Sequence, residues 1–120
     1  MVEVRRSTII DAPIEQVWAI IGDFGAHDRW HPGVVASRME PGVSAGAVGA
    51  VRNLTLADGV KVREQLLSYS ENRHAFSYCM LDCSLPLIGY IANVTLKPVT
   101  DGNRTFGPAP FWWTVRDFRL

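Results

Sequence analysis

The chain has 120 residues, 48% of them hydrophobic and 20% charged, and its 12 basic and 12 acidic side chains balance to a formal charge of zero. That length and composition suit one soluble globular domain and exclude a disordered chain. The densest basic cluster is Arg5-Arg6, so the electrostatic footprint of a nucleic-acid or anionic-membrane binder is missing.

Val2 to Ile10 alternates apolar and polar residues and reads as a first strand. It lacks the apolar core and small-residue cleavage site of a signal peptide. No apolar run approaches the ~20 residues that span a bilayer, and the expected location is cytoplasmic. Asp11-Ala12-Pro13 stops the strand and starts a helix, with Asp11 or Ala12 at the cap. Ile14, Val17, Trp18 and Ile21 keep helical apolar spacing, which predicts a short amphipathic helix over 14–22. After Asp23-Phe24-Gly25, residues 26–30 suit one further helical turn before His31-Pro32-Gly33.

From Val34 onwards the period changes to that of strands. Strands are expected over 34–39, 47–56, 60–68, 74–82 and 89–98. Ala57-Asp58-Gly59 is a strong hairpin signal between the second and third of these. A last strand begins at Arg104, with Pro108 and Pro110 expected to interrupt it. The order is strand, short helices, then about six antiparallel strands, so the fold class is α+β with a meander-like sheet.

Alternation assigns the even positions of these strands to the core, including Val48, Leu54, Val62, Leu66, Phe76 and Val94. The odd positions are largely polar. Two charges break the pattern, Arg52 and Glu64, and the turn at Asp58-Gly59 brings them near one another. Burying either alone would cost several kcal/mol. Together they are either a cross-strand ion pair that tolerates partial burial or a polar anchor inside an apolar pocket. Tyr78 and Tyr90 add hydroxyls to the same face, either as core tyrosines with their hydroxyls at the rim or as ligand contacts. A cation beside Glu64 favours its ionised form, which makes it an orienting group more than a general acid.

Cys79 and Cys83 fall in one expected strand, about 13 Å apart when extended, too far for a disulfide, which needs less than about 7 Å. They read as two reduced thiols on one side of the sheet. No metal spacing is present, and neither a phosphate loop nor a nucleophile elbow occurs. No cofactor is implied. His27, His31 and His74 are scattered; His31 is either a surface-loop histidine shaped by Pro32 or an acid–base group.

Asp11-Ala12-Pro13-Ile14-Glu15-Gln16-Val17-Trp18 resembles the opening of SRPBCC, or START-like, polyketide cyclase/dehydrase proteins. Asp23-Phe24-Gly25, Trp30-His31-Pro32, Gly49-Ala50-Val51-Arg52, Asp58-Gly59, Glu64, Tyr78, Leu85-Pro86 and Tyr90 follow in the matching order. The resemblance covers about residues 1–106 of a single domain, 1–120. It implies a helix-grip fold, a bent antiparallel sheet around a long C-terminal helix, with a cavity for hydrophobic small molecules between them. It places Trp30 and His31 near the cavity mouth. Trp30, His31, Arg52, Glu64, Tyr78 and Tyr90 are therefore the candidate ligand-binding residues.

The tail departs from the family. Where it would supply a long helix, this chain has Gly107-Pro108-Ala109-Pro110 and an aromatic stretch ending at Leu120. The long helix is expected to be absent, as in a truncated or frame-shifted C terminus. Phe111, Trp112, Trp113 and Phe118 are expected to cover the exposed apolar face, within the chain or across a homodimer. Three functions follow from these readings: binding of a small hydrophobic ligand, a cyclase or dehydratase activity, or an interaction or vestigial module without ligand binding.

Overall fold

A computed structural model describes residues 7–85, 89–100 and 102–108. The first strand, β1, is Ser7–Ile10, and the first helix, α1, is Ile14–Ile21. Its cap is Pro13, where Asp11 or Ala12 was expected, and no side chain caps it. Proline fits because its fixed φ leads into the helix, while its carbonyl accepts from Val17 N at 3.1 Å. Val17, Trp18 and Ile21 are buried, as the spacing predicts. The helix ends at Gly22, whose Cα lies against the Trp18 indole; a Cβ there would come within 2.7 Å of the ring. The extra turn is a 3₁₀ segment, Phe24–Arg29, interrupted at Ala26 and capped by the Asp23 side chain, which accepts from Gly25 N.

The remaining strands are β2 (Val34–Met39), β3 (Val51–Leu56), β4 (Lys61–Ser70), β5 (Ala75–Cys83), β6 (Ile91–Thr95), β7 (Lys97–Pro98) and β8 (Thr105–Pro108). The single sheet of about six strands is instead two. A five-stranded antiparallel meander runs β2-β3-β4-β5-β6, and a three-stranded sheet runs β1-β8-β7. The expected strand over 89–98 divides at Leu96, which is 1% exposed and donates its N–H to the His74 carbonyl at 2.9 Å. Strand β8 continues through Pro108, paired with Ser7. A proline is tolerated there because β7 reaches only to Phe106 on that side, so no second neighbour requires its missing N–H.

The strand expected from Ala47 begins only at Val51. Ala47 and Ala50 donate to Ser44 and Ala47 carbonyls, and Gly49 has φ of 96°, a left-handed conformation that suits glycine. Val48 therefore points outward, 64% exposed, against its expected core position. Beyond it the alternation holds. Leu54, Val62, Leu66, Phe76, Tyr78 and Val94 share one buried cluster with the apolar face of α1.

Three bulges reset that alternation. The register skips Val35 in β2, Leu67 in β4 and Leu81 in β5. An extra residue bends its strand and turns the following side chains over. Past Leu67, Tyr69 joins the inner face opposite Phe76. Past Leu81, Cys83 lies opposite Val62 and packs on the core, whereas Cys79 lies opposite Gln65. The two free thiols thus face opposite sides of the sheet, not one side.

Among the described residues no helix is long and apolar enough to cross a membrane, and none is the long gripping helix of the helix-grip fold. The tail residues Phe111, Trp112, Trp113 and Phe118 lie outside the described residues. Leu66, wholly buried and opposite Tyr78, is the centre of the sheet's inner face. Leu66→Ala is expected to cost about 2–5 kcal/mol, read as a lower midpoint in urea unfolding with unchanged slope.

Candidate functional site

The hairpin turning at Asp58-Gly59 sets Arg52 directly opposite Glu64. Both side chains are fully buried. Arg52 Nε donates to Glu64 Oε1 at 2.9 Å, and Nη2 is 2.7 Å from the same oxygen. Arg52 Nη1 donates to the Phe24 carbonyl at 3.1 Å. The guanidinium carbon also lies 4.1 Å from the Phe24 ring centroid and 4.6 Å from that of Tyr78. Tyr90 donates its hydroxyl to the other carboxylate oxygen of Glu64. Arg52, Glu64, Tyr78 and Tyr90 therefore form one buried group, and Phe24, which is not among the candidate ligand-binding residues, belongs to it as well.

Burial pushes the Glu64 carboxyl up, against the opposing pull of Arg52 and the Tyr90 hydroxyl. The favourable neighbour stressed in the sequence reading is present, but desolvation outweighs it. Burial, and next the Glu64 charge, push the hydroxyls of Tyr78 and Tyr90 well above the usual phenol range. Both tyrosines are donors at any ordinary pH.

Trp30 and His31 sit at the end of the 3₁₀ segment. His31 is not a surface-loop histidine: it is 1% exposed, and its Nδ1 accepts from Gly33 N at 3.0 Å. His27, also buried, completes a three-ring cluster. Its ring centroid is 4.8 Å from Trp30 and 5.1 Å from His31. Burial, then Arg52 and His31, hold His27 well below the usual imidazole range. Burial lowers His31 to about 4, with a further contribution from Arg52. Arg52 thus acts electrostatically on both histidines, which join the aromatic cluster to the buried pair. The one available signal for His27 was its four-residue spacing from His31.

A second cluster anchors α1. Trp18 donates its indole N–H to Glu71, and Tyr69 donates its hydroxyl to the Gly22 carbonyl at 2.9 Å. His74 pairs with Glu15 at 3.1 Å. On the outer face, Arg63 forms a bidentate pair with Glu40 at 2.7 and 3.0 Å. A groove of about 580 Å³, lined by Arg38, Asn53, Lys61 and Arg63 and also by Leu54 and Val62, runs along that face. Among the described residues, no three His, Cys, Asp or Glu side chains gather as a metal site would require.

A family model described as polyketide cyclase/dehydrase and lipid transport matches residues 1–117. That span runs past residue 106, where the recognisable motifs stop. Among solved structures, the protein XoxI from Bacillus cereus aligns over 89% of this chain and 71% of its own, at 25% identity and a TM-score of 0.78. A protein from Nitrosospira multiformis is 31% identical over 87% of this chain and 72% of its own, with a TM-score of 0.73. One from Thermobifida fusca is 28% identical, covering 95% and 78%, also at 0.73. No curated protein matches significantly.

Two predictions follow from the buried charges. Arg52→Met alone strands a buried carboxylate, and Glu64→Leu alone strands a buried guanidinium, so each is expected to cost about 3–5 kcal/mol. The double variant is expected to be more stable than either single one, and a double-mutant cycle in urea measures that coupling. The second concerns pH. The folded-state imidazoles titrate below their unfolded value of 6.5, with His31 at about 4. Between those limits the unfolded chain binds more protons, so the histidine contribution to stability falls as pH drops from 6.5 towards 4. Glu64, raised in the folded state, opposes this. Comparison with His31→Gln, in which Glu64 and His27 are retained, isolates the His31 part: the melting temperature of the variant should fall less steeply over that window.

Proposed function

This chain belongs to the polyketide cyclase/dehydrase and lipid-transport family of the SRPBCC superfamily, and from that premise we propose that it binds a small hydrophobic ligand against the inner face of the five-stranded sheet. The observation that carries this reading is the wholly buried Arg52–Glu64–Tyr90 group on a face otherwise built from Leu54, Val62, Leu66 and Phe76. A buried ion pair stabilises a fold less well than apolar side chains of similar volume. It suits a different role, because ligand sites combine apolar walls with a few placed polar groups that orient the bound molecule. His31 lies in the field of Arg52, Trp30 packs on His31, and Tyr78 packs on Arg52.

One observation favours a second reading, cyclase or dehydratase chemistry. Tyr90 donates to a carboxyl that burial raises. A carboxyl with a raised pKa can hold a proton and return it, and a hydroxyl bonded to it can relay that proton to a polarised carbonyl. Glu64 would then be the acid–base group, with Arg52 holding its orientation.

Native mass spectrometry of the protein as purified tests the binding reading. The expected result is a mass increment that disappears under denaturing conditions and extracts as an apolar compound. A protein that carries no such compound, and takes up none from a mixture of lipids and aromatic polyketides, leaves the interaction or vestigial module. Turnover of a linear polyketone by the wild type, abolished in Glu64→Gln with ligand uptake retained, would move the assignment to the enzyme.

A further inference from the structure

Trp30 is oriented against the usual rule. A tryptophan at the edge of a core normally turns its N–H towards water and its apolar ring inward. Here the residue is partly exposed, yet its Nε1 is buried and has no hydrogen-bond partner among the described residues. The polar edge points into the protein and the ring reaches the surface. A buried donor left unpaired is costly, and native proteins rarely retain one without a reason. The neighbours make its setting specific. The rings of His27 and His31 pack at 4.8 and 5.5 Å from the Trp30 ring, and both histidines are buried.

We infer that the indole N–H of Trp30 donates a hydrogen bond to an uncharged oxygen of the bound molecule, so that the site selects apolar ligands bearing a carbonyl or hydroxyl oxygen over hydrocarbons of the same shape. This rests on the ligand-binding reading above. The oxygen is uncharged because Arg52 is already balanced by Glu64. A carboxylate entering this face would meet that second buried anion and would have to shed its own water.

Three matched probes test this on the full chain: 2-acetylnaphthalene, its near-isostere 2-isopropylnaphthalene, and the anion 2-naphthoate. Calorimetric titration should show the ketone binding about tenfold more tightly than the hydrocarbon, as one hydrogen bond to a buried donor implies. The anion should bind no better than the hydrocarbon. Trp30→Phe should erase the preference by weakening the ketone alone. A second readout needs no variant: in the wild type, the side-chain Nε1–H resonance of Trp30 should move downfield with the ketone and not with the hydrocarbon. Equal binding of ketone and hydrocarbon with that resonance unmoved overturns the inference and leaves ligand binding standing. So does a crystal structure with an ordered water on Nε1 both with and without the ketone. Tighter binding of 2-naphthoate overturns the choice of an uncharged oxygen. Binding of none of the three overturns the inference together with the reading beneath it.

Discussion

A guanidinium with no access to water must find its counter-charge and its acceptors within the protein, and that requirement at Arg52 ties this fold together. Glu64 supplies the charge from β4, Phe24 supplies a backbone carbonyl from the 3₁₀ segment, and Tyr90 fills the remaining carboxylate oxygen from the approach to β6. Four parts of the chain are held to a common point by groups that have no alternative partner in solvent. A buried charge interacts strongly over short distances because the medium around it screens weakly. The same weak screening makes each misplacement expensive. A one-residue slip of β3 against β4 would turn Arg52 or Glu64 to the outer face and leave the other buried alone. The pair therefore enforces a register that the apolar alternation would only favour.

The bulges perform the complementary task of letting one sheet serve several neighbours. Strict alternation would place Tyr69 outward. The extra residue at Leu67 turns it inward, where its ring stacks on Phe76 and its hydroxyl reaches the Gly22 carbonyl. That contact, with the Trp18 bond to Glu71, holds α1 on the end of the sheet. The close seat of Gly22 on the indole follows from the same packing. The helix fixed in this way leads directly into Phe24, and so places the carbonyl that Arg52 requires. The remote cluster and the buried pair are thus mechanically linked, although they share no side chain.

These two devices explain which parts of the molecule were legible in the sequence. The Arg52–Glu64 pair was legible because it violates a local pattern near a turn whose residues, Asp58-Gly59, prescribe the pairing. Helix α1 was legible because its apolar residues recur with helical spacing. Bulges carry no comparable local signal: Leu67 and Leu81 read as ordinary strand residues, so the inward turn of Tyr69 and the opposed faces of Cys79 and Cys83 were hidden. The start of β3 is hidden for a related reason: Val48 and Ala50 alternate correctly while the backbone between them turns at Gly49. The burial of His27 and His31 was also hidden. It arises from packing the 3₁₀ segment over β2 and β3, a tertiary contact that no short-range pattern encodes.

The charge balance of the inner face follows from these placements. Two imidazoles packed in the field of Arg52 would, if protonated, add cations to a region whose single positive charge is already matched by Glu64. Burial and that field together keep them neutral. Tyr78 and Tyr90 remain neutral because burial, and next the neighbouring charge of Glu64, disfavours their ionisation. Among the described residues, the interior thus holds one compensated charge pair surrounded by groups that resist acquiring a second. Such a face is polar enough to orient a molecule and too costly to admit an uncompensated ion, which is the electrostatic condition for distinguishing neutral apolar ligands by the position of an oxygen atom.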